Sequence, residues 1–403
     1  MRVAYRCRAY PDPEQQVMLA RTFGCVRVVW NRTLAARRAR LVTEGKGTSY
    51  SETDAALTAM KRLPELAFLN EVSSVPLQQT LRHQHHAVNA FSAGRARYPR
   101  FKSRRGRQAA RYTRSAFRWQ DGQLWLAKMH APLRLVWSWP QVDPALLEPT
   151  GATVSREPDG RWYTTLHAEV TEPAPLPPTG RAVGIDLGIS DFAVTSDGER
   201  IANPRHLERK AANLARYQRR MAHAQNGSAN RAKAAAKVAR AHRKIRAARA
   251  DFLHRISTRL VRDHDLLVVE NLNIKGMTAN RRLAKAISDC GWGTFRGLLA
   301  HKAQRAGRRL VVIDRWHPSS KTCSSCGHLL AILRLGTRTW VCPSCGARHD
   351  RDHNAAKNIL AAGLAVTACG AAISHPGSSG VQAALKQEPQ RATSGIPVLQ
   401  GGE

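Results

Sequence analysis

No run of about 18 apolar residues, the length a membrane-spanning helix needs, occurs in this 403-residue chain. Nor does the opening Met1-Arg2-Val3-Ala4-Tyr5 carry the charged-then-apolar pattern of a secretory leader. The expectation is a cytoplasmic protein with no membrane partner. Acidic residues are scarce: 29 Asp and Glu stand against 64 Lys and Arg, a net charge of +35. A soluble chain so lopsided repels itself unless a polyanion is its usual companion. Nucleic acid is the obvious one, because phosphate contacts from Lys and Arg dominate such binding. Ribosomal proteins and histones are equally basic, so the charge names a partner and leaves the activity open. Cysteine is sparse at eight and unevenly placed. A disulfide framework would spread its cysteines through a small secreted domain. Here Cys323, Cys326, Cys342 and Cys345 cluster while Cys7, Cys25, Cys290 and Cys369 are scattered, the distribution of an intracellular metal-binding protein.

Hydrophobic residues make up 43% of the chain, enough for two or three domains with cores of their own. Arg2 to Tyr10 alternates as a strand and stops at Pro11 and Pro13. From Glu14 to about Ala93 the period turns helical. Val17, Leu19, Phe23, Val26, Val29, Trp30 and Leu34 fit one or two amphipathic helices, and Leu57, Met60, Leu63, Leu77 and Leu81 mark others. A basic run from Arg95 to Arg105 leads into strand-like segments at Gln123–Leu126, Leu133–Trp137 and Trp162–Ala168. Pro173 to Pro178 reads as a stiff extended linker and a domain boundary. Past it the pattern is α/β. Ala182–Asp186 and Phe192–Thr195 read as strands, and Asp197-Gly198 as a hairpin turn. Two helical stretches follow, broken at Asn226-Gly227-Ser228. The second carries eleven Lys and Arg and a single acid, Asp251, between Ser228 and Arg262. The apolar strands Leu266–Glu270 and Leu310–Ile313 flank a further helix near Thr294–Arg308. Residues 367–403, rich in Gly, Ser, Pro and Ala without period, read as a disordered tail.

The clustered cysteines form C-x2-C, fifteen residues, C-x2-C. Zinc takes four soft ligands at tetrahedral corners, and two knuckles at this spacing deliver them from a β-ribbon. Gly327 and Gly346 follow each pair, where the knuckle's turn favours glycine. Four thiolates leave no open coordination position, so the expected zinc is structural.

Three acids occupy unwelcoming places. Asp186 sits within Gly184-Ile185-Asp186-Leu187-Gly188, Glu270 ends Leu266-Leu267-Val268-Val269, and Asp352 opens a helix in Asp350-Arg351-Asp352-His353-Asn354-Ala355-Ala356-Lys357-Asn358-Ile359. Each alone has a plainer reading: a turn residue, the partner of an Arg, a helix N-cap. Together they are hard oxygen ligands from separate elements, suited to two divalent cations about 4 Å apart that clamp a phosphodiester. A strand acid beside a hairpin, a second acid ending a later strand and a third opening a late helix follow the RNase H-like order. Asp350 is a rival for the third place, whereas Asp191, Asp197 and Asp314 read as turn or surface acids.

These motifs, with Val269-Glu270-Asn271-Leu272, Ile287-Ser288-Asp289-Cys290-Gly291-Trp292-Gly293 and Tyr98-Pro99-Arg100-Phe101-Lys102, resemble TnpB, the transposon-encoded RNA-guided nucleases similar to compact type V CRISPR effectors. The resemblance runs nearly the whole chain up to the tail. It implies an α+β multidomain protein. Residues 1–178 would form an N-terminal β-barrel-like (wedge) unit with an inserted helical recognition domain at about 14–93. Residues 179–366 would form a RuvC RNase H-like α/β domain enclosing a zinc ribbon at 319–348. It implies Mg2+ (two ions, or Mn2+) on Asp186, Glu270 and Asp352, and one zinc on Cys323, Cys326, Cys342 and Cys345. It further implies a guide RNA from the transposon end and a double-stranded DNA target cut beside a short adjacent motif, all by a monomeric ribonucleoprotein in a bacterial or archaeal cell. Tyr50 and Gln78 fall where the family's N-terminal lobe faces duplex DNA, with ordinary packing as their alternative; Ser73-Ser74-Val75 replaces the basic residue that many relatives carry before that Gln. Arg100 and Lys102 in the basic run, and Arg240, Arg243 and Lys244 on the basic helix, are further nucleic-acid candidates. The competing functions are a guide-bound DNA-binding regulator that does not cut, and a transposase or its accessory protein.

Overall fold

The computed structural model describes residues 1–171, 174–334 and 336–368. Pro173 of the expected linker and residues 369–403 of the expected tail lie outside the described residues. The chain opens with β1 (Arg2–Ala9) and turns into α1 (Pro13–Glu44) through a capping box, in which Asp12 and Gln15 satisfy each other's backbone N–H. Of the one or two helices expected, the chain forms one, unbroken. Val17 leaves the expected apolar stripe and is 54% exposed, because it stands about 200° round the helix from buried Leu19. The helix ends at Gly45, whose φ of 64° is the left-handed cap that glycine accepts without strain.

Next come α2 (Tyr50–Arg62), capped by Ser49, and α3 (Ser74–Ser92). Buried Gln84 of α3 ties the helices together, accepting from Arg37 at 3.1 Å and donating to the Trp30 carbonyl at 2.8 Å. Six strands complete this part: β2 (Gln108–Thr113), β3 (Phe117–Gln120), β4 (Gln123–Leu126), β5 (Leu135–Val136), β6 (Pro149–Arg156) and β7 (Trp162–Glu169). They form a five-stranded antiparallel sheet ordered β2-β6-β7-β1-β5 and a β3-β4 ribbon. Leu19, Phe23 and Val26 of α1 and Leu77 and Leu81 of α3 share one core with Tyr112, Val154 and Leu166 of the sheet. The run expected as a strand at Leu133–Trp137 yields only the two residues of β5. The Trp137 indole donates to the carbonyls of Trp139 and Val142 and curls the chain away.

The segment expected as an extended linker forms no helix or strand over 174–181 and is hydrogen-bonded to the part that follows. The Leu176 N–H donates to the Ala306 carbonyl at 3.0 Å, Arg308 donates to the Pro177 carbonyl at 2.6 Å, and the N–H groups of Thr179 and Gly180 meet the Asp265 carboxylate.

Beyond it lies a second five-stranded sheet. Its members are β8 (Ala182–Leu187), β9 (Asp191–Thr195), β10 (Arg200–Ala202), β11 (Leu266–Glu270) and β12 (Arg309–Ile313), in the order β10-β9-β8-β11-β12. The first three form an antiparallel meander turned at Gly198 (φ 88°), whereas β8, β11 and β12 run parallel. The connections carry α4 (Ala211–His223), α5 (Ala229–Asp263), α6 (Ile274–Met277), α7 (Ala284–Cys290) and α8 (Trp292–Arg305). After β12 a small ribbon, β13 (Thr339–Val341) and β14 (Arg348–Asp350), leads to α9 (Arg351–Ala368). Alternation along the strands splits the core between the two faces. Val183, Ile185, Leu267 and Val269 pack with Leu253, Ile287, Phe295 and Leu299 on one side. On the other, Leu266, Val268, Val311 and Ile313 pack with Ile359 of α9.

Two glycines let α9 lie directly on that second face. A Cβ at Gly184 would collide with the backbone of Ala356 and Leu360, and one at Gly363 with the Val268 side chain. Among the described residues, no helix is long and apolar enough to cross a membrane.

Candidate functional site

The helix-on-sheet contact decides which side of the sheet the three acids share. Gly184 and Asp186 are two apart on β8, as are Val268 and Glu270 on β11, so both acids share the face that carries α9. Their strands are parallel neighbours with Ile185 opposite Val269, which brings Asp186 and Glu270 to the same carboxyl edge. Asp352 lies in the first turn of α9 above that edge. The Asp186 carboxyl is pushed up to about 8, first by loss of solvent and then by the charges of Glu270 and Asp352, with nearby Arg351 offsetting part of the rise.

The other acids of the neighbourhood are committed elsewhere. Asp350 accepts the His353 N–H at 3.0 Å as the cap of α9 and pairs with Arg200 at 2.5 Å. Arg200 also holds Asp191 at 2.7 Å, Arg181 pairs with Asp197 at 2.8 Å, and Asp314 accepts the Trp316 N–H at 2.7 Å. Two polar neighbours carried no sequence signal. Arg338 of the ribbon lies 3.5 Å from Asp352 and donates to Ser190 at 3.2 Å, and the Ser319 hydroxyl donates to Glu270. One arginine among 64 basic residues, and one serine in a loop, have no spacing that marks them.

The four cysteine sulfurs lie within 4.8 Å of one another. The Cys323–Cys345 and Cys326–Cys342 pairs are each 3.7 Å apart, and tetrahedral thiolates about 2.3 Å from zinc stand about 3.8 Å from each other. Both knuckles close alike: the Gly327 N–H donates to the Cys323 carbonyl and the Gly346 N–H to the Cys342 carbonyl, each at 2.9 Å. Burial opposes ionisation of Cys323, yet the N–H groups of Cys326 and Ser325 and the His349 ring 3.0 Å away bring its thiol down to about 5. The set therefore fits a closed, structural zinc site. Asp186, Glu270 and Asp352 act on one another electrostatically, and their hard oxygen donors are of the type that takes Mg2+ or Mn2+, though among the described residues only the four cysteines bring their ligand atoms within 4.8 Å of one another.

The nucleic-acid candidates divide. On α5, Arg243 pairs at 2.5 Å with Asp159 in the β6–β7 turn, joining the chain's two sheet-bearing parts. Arg240 and Lys244 are exposed and, with Lys233 and Lys237, form one stripe at helical spacing without an ion-pair partner among the described residues. Beside α5, a groove of about 570 Å3 is lined by Arg104, Arg105, Arg156 and Arg231. Lys102 lies over the Trp30 ring at 4.3 Å, and its backbone is clamped by Asn31. Arg100 is exposed, its carbonyl accepting from the Trp30 indole at 3.0 Å. Half-buried Tyr50 accepts from Arg82 at 3.4 Å, and half-buried Gln78 stands one turn before Arg82 on the same face of α3.

Three family models match the chain: a helix-turn-helix domain over residues 1–46, the OrfB_IS605 "Probable transposase" family over 165–281, and the Cas12f1-like TNB domain over 292–359. Within the first span the structure holds one strand and one continuous helix. A Streptomyces pristinaespiralis protein named "Putative RNA-guided DNA endonuclease" is 51% identical over 98% of both chains. Its namesake InsQ from Escherichia coli K12 is 30% identical over 96% of this chain and 97% of its own. The protein in a cryo-EM structure of a Cas12f1-sgRNA-target DNA complex shares the fold, with a TM-score of 0.54 at 14% identity over 86% of this chain and 83% of that one. This mixed α/β chain with its zinc-ribbon-like segment belongs to the TnpB family, alongside these two bacterial relatives.

Proposed function

We propose that the protein is an RNA-guided DNA endonuclease that hydrolyses phosphodiesters at Asp186, Glu270 and Asp352 with Mg2+ or Mn2+, beside a short adjacent DNA motif. The observation that carries the cutting site is that Asp186 and Glu270 end neighbouring parallel strands on the face under α9, where Glu270 and Asp352 together raise the Asp186 carboxyl. Guidance by RNA and a DNA substrate rest on the names of the two long relatives. Finer parts of the reading are a β-barrel-like unit at 1–178 with a helical insertion, a RuvC-like unit at 179–366 around the ribbon at 319–348, and a monomeric ribonucleoprotein. The mixed order of the second sheet, antiparallel meander then parallel strands, supports an RNase H-like topology there.

Bound at the carboxylates, divalent cations would neutralise the phosphodiester's charge and activate water. The chain's own part is to hold the acids convergent and to keep the Asp186 proton until a cation replaces it. The stripe Lys233, Lys237, Arg240 and Lys244 offers four exposed charges to a phosphate backbone. Base pairing to the RNA would read sequence, while the protein reads duplex shape. Cys323, Cys326, Cys342 and Cys345 would hold zinc and fix the ribbon next to Asp352.

Asp186→Ala should keep the fold, the zinc and the bound RNA while abolishing guided cleavage; cutting at the normal rate would sink the assignment. Products of strand transfer, from an assay with labelled transposon ends, would instead favour the transposase reading.

A further inference from the structure

We propose that Ser319 is a positioning residue for Glu270, and that the segment Ser319–Ser324 carries the state of the cysteine knuckle to the carboxylate site. The inference rests on the reading of Glu270 as a cation ligand. Glu270 is the last residue of β11, at the carboxyl edge of the sheet. The hydroxyl of Ser319, itself only 5% exposed, donates to one carboxylate oxygen and leaves the other to face a cation. Ligating carboxylates are commonly oriented by such an outer hydrogen bond, and losing one weakens metal binding by about 10- to 100-fold.

Ser319 lies in the loop that follows β12 and needs support of its own. Asn354 and Asn358 supply it from α9. They stand one turn apart on one face and are 2% and 8% exposed. Asn358 donates to the carbonyls of Ser319 at 2.7 Å and Thr322 at 2.6 Å, and Asn354 to Thr322 at 2.7 Å. The side-chain Oδ1 of Asn354 accepts the N–H of Ser324 at 2.9 Å. Ser324 stands between the ligands Cys323 and Cys326, so the knuckle's own backbone is one end of the strap and Ser319 is the other. Asn354 is also two residues from Asp352, which places the anchor of the strap on the turn that presents the third acid.

The test uses the full chain with its co-purified RNA. Mn2+ binding is measured by electron paramagnetic resonance well below the thermal transition, alongside zinc content, melting temperature and the Mg2+ dependence of cleavage. Ser319→Ala should weaken Mn2+ binding about 10-fold, leave zinc content unchanged, and lose cleavage at low Mg2+ with recovery at high Mg2+. Ser319→Thr, which restores the hydroxyl, should bind Mn2+ close to the parent level. Cys342→Ser should weaken Mn2+ binding as well, and the double variant should lose less than the sum of the two. Unchanged Mn2+ affinity in Ser319→Ala, or equal losses in the Ala and Thr variants, would overturn the positioning role. Additive losses would overturn the coupling to the knuckle. Glu270→Gln separates the two levels: if it too binds Mn2+ normally, the carboxylate reading itself has failed, whereas a loss there beside a normal Ser319→Ala refutes only this inference.

Discussion

Asp186 concentrates the electrostatics of the site. With its carboxyl at about 8, the metal-free fold keeps a proton that the unfolded chain releases near pH 4. Its contribution therefore favours the fold at low pH and is lost as pH rises from about 4 through about 8. A cation reverses the preference, because a ligating carboxylate must be ionised. Mn2+ affinity should rise steadily between pH 6 and pH 8, with proton release on binding near pH 7, measurable by calorimetry in buffers of different ionisation enthalpy. Asp186→Asn should raise the melting temperature of the metal-free protein more at pH 8 than at pH 5; an equal effect at both would contradict the assigned cause. The three acids stand out in the sequence because a carboxylate in or against an apolar strand is costly without a counter-charge. Asp350 stands as a rival to Asp352 in the sequence, since both open the same helix. It took the Arg200 and His353 contacts to show Asp350 already committed. The contacts of Ser319 with Glu270 and of Arg338 with Asp352 rest on geometry that no local pattern encodes.

At the scale of elements, the site depends on how closely α9 lies on β8 and β11. Gly184→Ala would drive a methyl into the backbone of Ala356 and Leu360, where no side chain can yield. The expected cost is about 3 kcal/mol or more, read by urea unfolding, together with loss of metal binding as Asp352 is displaced. Gly24 gives the contrast. It lies within α1 and an added methyl there meets nothing within 4 Å, so Gly24→Ala should stabilise by about 0.5–1 kcal/mol. Loss of stability at Gly24, or none at Gly184, would contradict this packing. Cys342→Ser should empty the knuckle and expose the ribbon to protease, because a closed thiolate site contributes its binding free energy to the fold; full zinc content would refute it. Strands, helices and knuckle spacing were readable because each repeats a local period or a fixed turn. The shortness of β5 was not, since an indole hydrogen bond sets it. The tied-down linker escaped notice because its partners, Ala306, Arg308 and Asp265, lie far along the chain.

The whole molecule carries a charge of +35, and the structure shows where part of it is spent. On α5, Arg243, Arg249, Arg255, Arg259 and Arg262 have acidic partners, and Arg231 caps the carbonyls of Met221 and Ala224. Lys233, Lys237, Arg240, Lys244 and Arg246 remain exposed without such partners among the described residues. Composition announced a polyanion, but not which of the eleven charges would face it, because pairing with Asp159 and Asp289 needs the folded arrangement. Strand order was equally hidden, being fixed by contacts between distant segments. The central claim is that this surface carries a guide RNA whose pairing directs the carboxylates to DNA. The most direct measurement is to purify the protein from cells carrying its native flanking DNA and sequence the RNA that accompanies it, then challenge the complex with a duplex matching that RNA. The account predicts one discrete RNA ending in variable flanking sequence, and Mg2+-dependent cutting of the matched duplex only. Heterogeneous RNA, or cutting that ignores the match, would contradict it.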